Sequence, residues 1–460
     1  MIVITTLAEY QTEFWINVGI GLKARGHDVV FLSFDTRSTE MLCSKGQRNY
    51  DIPSLSKRLL SEGELVPEDV FAEFDLEDSN LWTSHERITF SIADSVALNS
   101  RLAAYLRSID NVTKILVTEN PEQKIDFVQE LGGFLSVIAA YFVAQKHNID
   151  NYFLEPSFFS GMLFGLVNTY GSLDAGDVYA AVVSPEVESY IGKAIANQSI
   201  VIPKKDKHQY NAALKKIVNL KNLRRFVAKI IDKHVLGKHQ EFGFIYVYAM
   251  KHLSMLINSV RMRSMYSELE QIGPFVYFPL HVPGDAALTL RSPEYLDQLA
   301  LIEYLVRVVP SGYKIAIKEH PAQIGAVDVD RVKSMVRSYD NLVIINPGVN
   351  NYKVLGAAAS IVSINSKSGA EAALLGKPVV VMGDAFYKNS PLVVRVEHIS
   401  GLATGLKQAL SLEETSEADR ARYFQRVWDR TLPGELYVNS LPEIDTFSST
   451  IIAMIEQRGS

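Results

Sequence analysis

Two apolar runs in this 460-residue chain end in polar corners: "YKIAIK" stops at Glu319-His320-Pro321, and "SIVSI" stops at "NSKSGAE", residues 365–371. A histidine at the carboxyl end of a strand can give a hydrogen bond or positive charge to a phosphate, and Pro321 cannot continue a strand ladder, so it fixes the corner. In the second corner Ser366, Ser368 and Gly369 lead into a helix, whose first N–H groups and serine hydroxyls suit an anion. Glu371 is placed to accept hydrogen bonds from a ribose. The same residues also fit a simpler role, with Ser368 as an N-cap and Glu371 as its capping-box partner. Two more carboxylates end apolar runs: Glu155 follows "NYFL" and Asp285 follows "FPLHVPG". A pair of carboxylates facing one anomeric carbon supplies the nucleophile and acid/base of a double displacement, set about 5 Å apart in retaining glycosidases. Either one alone also reads as a turn residue. Glu119, in "TENP", is a further candidate.

No G-x-G-x-x-G motif or P-loop lysine is present, so NAD and ATP are not expected. One cysteine and ten scattered histidines show no metal-ligand spacing, and no metal or other cofactor is expected. The lone Cys43 excludes an internal disulfide and fits a reducing compartment. A net charge of -6 and a pI near 6.0 give no reason to expect nucleic acid as a partner. The N-terminus lacks the pattern of a signal peptide, so a cytoplasmic location is expected.

The elements that must position these residues alternate. "MIVITTL", "EFWINVGIGLKARG" and "HDVVFLSFD" read as strand, helix and strand, a βαβ unit that builds a parallel sheet. Further on, "TKILVTEN" is expected as a strand, residues 127–145 as one buried helix too short to span a membrane, and "NIDNYFLEPSFFSG" as a strand. Residues 1–170 are therefore assigned to one Rossmann-like domain and 171–267 to a helical, basic insertion. Residues 268–425 form a second Rossmann-like domain, with a helix starting after Ser292 as N-cap, and 426–460 are helices packing back across both. The expected fold class is α/β, two Rossmann-like domains facing a cleft. The run 203–238 is strongly basic. It suits contact with an anionic membrane surface, or the solvated face of a helical insertion.

Taken in order, "FLEPSFF", "FPLHVPGD", "KEHP" and "SKSGAEAALLGKPVVVMGDAFY" make the chain resemble the bacterial capsule and O-antigen polysaccharide biosynthesis proteins, which include retaining β-Kdo transferases using CMP-Kdo. The resemblance covers most of the second domain and a short piece of the first. It implies a glycosyltransferase of the B-type fold, with the CMP-sugar held by the second domain and a glycan or lipid-linked acceptor on the side of the first. His320 with Pro321 would meet the phosphate, Ser366, Ser368 and Gly369 would add contacts, and Glu371 would hold the ribose. Asp285 would attack the anomeric carbon and Glu155 would handle the acceptor proton. Lys318 and Lys367 are near enough to pair with the sugar carboxylate. Relatives often carry Gln where this chain has His281, a further candidate, and Glu-Asp-Gly-Phe where it has Glu155-Pro156-Ser157-Phe158. The alternatives are an inverting CMP-nonulosonic acid transferase, a UDP-sugar epimerase, and a non-catalytic glycan-binding or export-coupling protein.

Overall fold

The structure is a computed structural model and describes residues 1–63, 65–198, 220–413 and 415–459. Its first sheet has the order β14-β6-β5-β4-β1-β2-β3. The strands are β1 (Ile2–Thr6), β2 (Val29–Ser33), β3 (Asn49–Asp51), β4 (Asp126–Glu130), β5 (Asp150–Pro156), β6 (Met162–Val167) and β14 (Leu432–Pro433). β1 to β5 are parallel, while β6 returns antiparallel beside β5. β1 and β2 are buried at every residue, as parallel strands covered by helices on both faces must be. Val3, Val30 and Phe127 pack on one face, and Ile2, Ile4 and Phe31 on the other.

The second sheet runs β13-β12-β11-β8-β9-β10-β7 and is parallel throughout. It consists of β7 (Tyr266–Ser267), β8 (Phe275–Pro279), β9 (Lys314–Lys318), β10 (Leu342–Ile345), β11 (Ser360–Ser363), β12 (Val379–Val381) and β13 (Val393–Arg395). β7 lies within the stretch assigned to the helical insertion, so this sheet begins two residues before the expected boundary. The helices Pro185–Asn197, Leu220–His234 and Ile245–Met262 occupy the stretch between the sheets. Most of the basic run 203–238 precedes residue 220 and lies outside the described residues.

Three local expectations are corrected. "TKILVTEN" is not a strand but the last turns of the helix Ser95–Glu119, because Leu102, Leu106, Ile109 and Leu116 continue one buried face at helical spacing. Residues 127–145 are not one helix: β4 and the helix Leu135–Lys146 are separated at Gly132-Gly133. A Cβ on Gly133 would sit 2.3 Å from the His85 ring, so only glycine lets that turn pass. The helix expected after Ser292 begins instead at Gln298, where the Asp297 carboxylate accepts the Ala300 N–H.

The chain closes by returning to the first sheet. The helix Glu417–Trp428 packs beside Pro185–Asn197, β14 adds to β6, and the helix Leu441–Gly459 lies along the helix Glu9–Lys23. Phe447 is fully buried there, edge-on to Phe14 at 4.9 Å and Trp15 at 5.9 Å between ring centroids. No helix among the described residues is long and apolar enough to cross a membrane. Phe447→Ala should cost about 3–5 kcal/mol in urea unfolding, because it removes a ring from a closed aromatic cluster; an unchanged midpoint would mean that the C-terminal helix is not integral to the first domain.

Candidate active site

In an open parallel sheet, ligands bind outside the carboxyl ends of the strands, where neighbouring crossovers diverge. In the second sheet that point lies between β8 and β11. Asp285 follows β8, His320 follows the adjacent β9, and Ser366 follows β11. The three expected corners therefore come from three adjacent strands.

The His320 corner is built by its neighbour. Glu319 is buried, accepts the Tyr266 hydroxyl at 2.7 Å and accepts the Gly325 N–H at 2.7 Å, which ties down the loop 320–325. Burial raises the Glu319 pKa against those two hydrogen bonds. His320 Nδ1 accepts the Ala322 N–H at 3.2 Å, with Pro321 as the first residue of a short 3-10 turn. That bond leaves the ring proton on Nε2, where it is a donor. Burial lowers the His320 pKa, Asp285 opposes the shift, and Lys318 adds to it. Lys318 is buried, and its ammonium is pulled down to about 8 by burial against the attraction of Glu371.

The second corner is capped differently from the Ser368–Glu371 box. Ser366 is the N-cap of the helix Lys367–Leu374, and its hydroxyl accepts the Ser368 N–H at 3.1 Å. The Ser366 carbonyl accepts from Gly369 N–H and from the Tyr387 hydroxyl, and Ser366 N–H donates to Ser363 Oγ. Several amides expected to face an anion are thus used in capping, so Lys318, the His320 Nε2–H and the helix dipole carry the positive side of this corner. Gly369 is required for the approach of Tyr387, whose hydroxyl would lie 2.1 Å from an added Cβ. Buried Asn351 donates to Ser368 Oγ and Glu371 Oε2, both at 3.1 Å, and accepts the Tyr277 hydroxyl. Glu371 is therefore set from behind by Asn351, a residue missed in the sequence reading.

Asp285 is exposed and caps the short helix Ala286–Thr289, with Oδ1 accepting the Ala287 N–H at 2.9 Å. Oδ2 has no hydrogen-bond partner among the described residues. The Asp285 charge acts on three histidines, His85, His281 and His320. His281 and His85 are buried, and burial pulls each ring down to about 4 against the pull of Asp285, so both are neutral at pH 7. The Nε2 of His281 has no hydrogen-bond partner among the described residues. His85 comes from the first domain and meets Thr289 Oγ1 at 3.0 Å. Nothing in the sequence around His85 marked it, since only the docking of the domains brings it to Asp285.

Glu155 and Glu119 do not join this cluster. Both Glu155 oxygens accept from the Arg291 guanidinium, at 3.0 and 2.8 Å, and Arg291 also donates to the Tyr170 carbonyl at 2.7 Å. Glu155 is thus an anchor between the domains rather than a free carboxylate, which does not fit the expected acceptor-proton role. Its partner was legible as the one arginine in "AALTLRSP", but a charge alone does not name its mate. Glu119 pairs with Arg48 on the first domain, at the end of a helix rather than a strand. Lys367 reaches across to the Ser157 carbonyl at 2.8 Å. Ser172 N–H and Oγ bind Asp384, at 2.8 and 2.6 Å.

A family model described as capsule polysaccharide biosynthesis protein matches residues 136–396, more than half of the chain, from the helix before β5 to just past β13. The chain belongs to that family. It is 32% identical over 134 residues to Protein FixF of Sinorhizobium fredii, a match that covers 29% of this chain and 32% of FixF. The chain thus spans about a third of that curated relative. Among solved structures it is similar to the beta Kdo 2,4 transferase of Thermosulfurimonas dismutans KpsC, with a TM-score of 0.34 and 12% identity over 66% of this chain and 80% of that one. It is also similar to the UDP-GlcNAc 2-epimerase of Neisseria meningitidis, with a TM-score of 0.28 and 10% identity over 99% of this chain and 100% of the other. Likenesses at this level bear on neither substrate nor mechanism.

Arg291 is only 6% exposed in its side chain and Glu155 is 24% exposed. Removing the cation strands the anion, so Arg291→Met should cost about 3 kcal/mol in denaturant unfolding, the lower end for a buried pair because Glu155 can rehydrate in part. Adding Glu155→Met should recover much of the loss; two additive losses would show that the pair is not coupled.

Proposed function

We propose that the protein is a glycosyltransferase that moves a Kdo-type sugar from CMP to a bacterial surface-glycan or lipid-linked acceptor, with retention and without a metal. Membership of the capsule polysaccharide family supports the pathway class. The observation that most directly supports the chemistry is the convergence of Asp285, His320 and the Ser366 helix start on one switch point, beside the buried cation Lys318. In the first step the Asp285 carboxylate attacks the anomeric carbon, the bond to the CMP phosphate oxygen breaks, and CMP leaves. Lys318, the His320 Nε2–H and the helix dipole meet the charge that grows on that phosphate. In the second step the acceptor oxygen attacks the same carbon, Asp285 departs as carboxylate, and the acceptor proton passes to a base. Two displacements restore the starting configuration. We further propose that the enzyme works in the cytoplasm, in keeping with the lone Cys43.

A second reading rests on the cap that Asp285 provides to the helix Ala286–Thr289. Asp285 would then be structural, and transfer would occur by a single inverting displacement. Intact-protein mass spectrometry after incubation with CMP-Kdo separates the two. Retention predicts a mass gain of one sugar in the parent and none in Asp285→Asn. CMP release that persists in Asp285→Asn without any adduct would favour inversion, and tighter binding of UDP than CMP would move the assignment to an epimerase.

Phosphate binding should also depend on pH. The protonated Lys318 is the form that attracts an anion, and its free-state pKa is about 8. Below that value the ammonium is already charged; above it, binding must take up a proton, so CMP affinity should fall up to about tenfold per pH unit. Calorimetric titration should show that slope in the parent and a flat profile in Lys318→Met; the same slope in both would remove Lys318 from the site.

A further inference from the structure

The helix Ile245–Met262 wears its apolar residues on the outside. Tyr246, Met250, Leu253, Ile257 and Val260 recur at helical spacing and are each between 47% and 64% exposed. The other exposed positions from 245 to 260 are Ala249 and Ser254, so this face carries no charged side chain for more than four turns. A stripe of this length on a monomer surface marks something that covers it.

The neighbouring helix indicates what that is. Leu220–His234 ends beside the stripe, with the His234 ring 5.9 Å from Tyr246. It exposes Arg224 and Lys229 together with the apolar Val227 and Ile231. The run 203–238 holds eleven lysines and arginines against two aspartates, in a chain whose net charge is -6. An apolar stripe beside a helix that exposes Arg224 and Lys229 complements a bilayer that offers acyl chains behind anionic headgroups. A second copy fits less well, because pairing two stripes would bring the exposed cations of two such helices together.

The inner side of the same helix braces the candidate active site. Asn258 Nδ2 donates to the Gly325 carbonyl at 3.1 Å, and a Cβ on Gly325 would strike Met255 O at 2.1 Å. Gly325 is the residue whose N–H Glu319 uses to hold the His320 corner. At the other end, Phe244 stacks on Phe90 with ring centroids 4.1 Å apart, and Phe90 ends the helix Ser84–Phe90 that carries His85. One helix thus touches both walls of the cleft and turns its apolar face outward.

We propose that this stripe and the exposed face of the helix Leu220–His234, with Arg224 and Lys229, form a docking surface for an anionic lipid bilayer. The docking goes beyond the transfer reaction and is measured without any sugar donor, so its failure would leave the proposed transfer untouched.

The test is co-sedimentation of the full chain with phosphatidylcholine vesicles with and without phosphatidylglycerol. The parent should bind the anionic vesicles, release in high salt, and lose about tenfold or more in binding as Met250→Glu/Leu253→Glu/Ile257→Glu. The melting temperature of that variant should hold, because all three side chains are already exposed. Should it nevertheless fail to fold, Leu253→Trp carries the test: its fluorescence should shift to shorter wavelength on anionic vesicles. No binding by the parent, equal binding by the triple variant, or no shift at Trp would overturn the proposal. So would a concentration-dependent dimer that the triple variant abolishes while vesicle binding is unaffected, which would give the stripe to a second copy.

Discussion

The bidentate pair between Arg291 and Glu155 ties the two sheets together beside the loop that carries Asp285. A buried guanidinium is costly to desolvate, and it persists only where good geometry and further acceptors compensate. Arg291 has both: two carboxylate oxygens at the end of β5 and the Tyr170 carbonyl. Apolar burial of Phe158 and Phe164 against Phe386 supplies non-directional attraction between the same domains. The ion pair adds direction, because a planar fork meets a carboxylate in one orientation. Arg291 stands just beyond the helix that Asp285 caps, so the contact that registers the domains also sets the loop bearing the proposed nucleophile.

Behind that loop the site is prepared by burial rather than by fixed charge. His281 and His85 are held neutral, and Lys318 is held near its titration point. Kept neutral, His85 and His281 bring no positive charge to the surroundings of Asp285. The tautomer of His320 is set by a backbone amide, and Glu371 is oriented by Asn351, itself held by Tyr277. His320 and Glu371 are thus each fixed by a group that would not face the ligand, which reduces the ordering that binding would otherwise require.

The helix Ile245–Met262 links this site to the surface. Its inner face is committed to the His320 loop and to the His85 helix, which leaves an apolar outer face with no intramolecular partner among the described residues.

Much of this was legible in the sequence, because local chemistry leaves local marks. Continuous apolar runs in Ile2–Thr6, Val29–Ser33 and Lys314–Lys318 require buried parallel strands, and a polar break at the end of each such strand points to the ligand edge of a sheet. That reasoning located Asp285, His320 and Ser366 without knowledge of distant contacts. It failed where two structures share one local pattern: "TKILVTEN" suits a strand by propensity, but burial along the helix Ser95–Glu119 decided it. It also failed where a partner lies far along the chain. Glu155 reads as a free carboxylate until Arg291, 136 residues on, occupies it, and His85 is one histidine among ten until docking brings it to Asp285. The sequence by itself determined the parallel sheets and the strand ends where the candidate site residues stand, since these follow from periodicity and backbone geometry. Only the tertiary structure decided which charges are paired and which imidazoles are dry, because pairing and desolvation are properties of surroundings that no short stretch of chain contains.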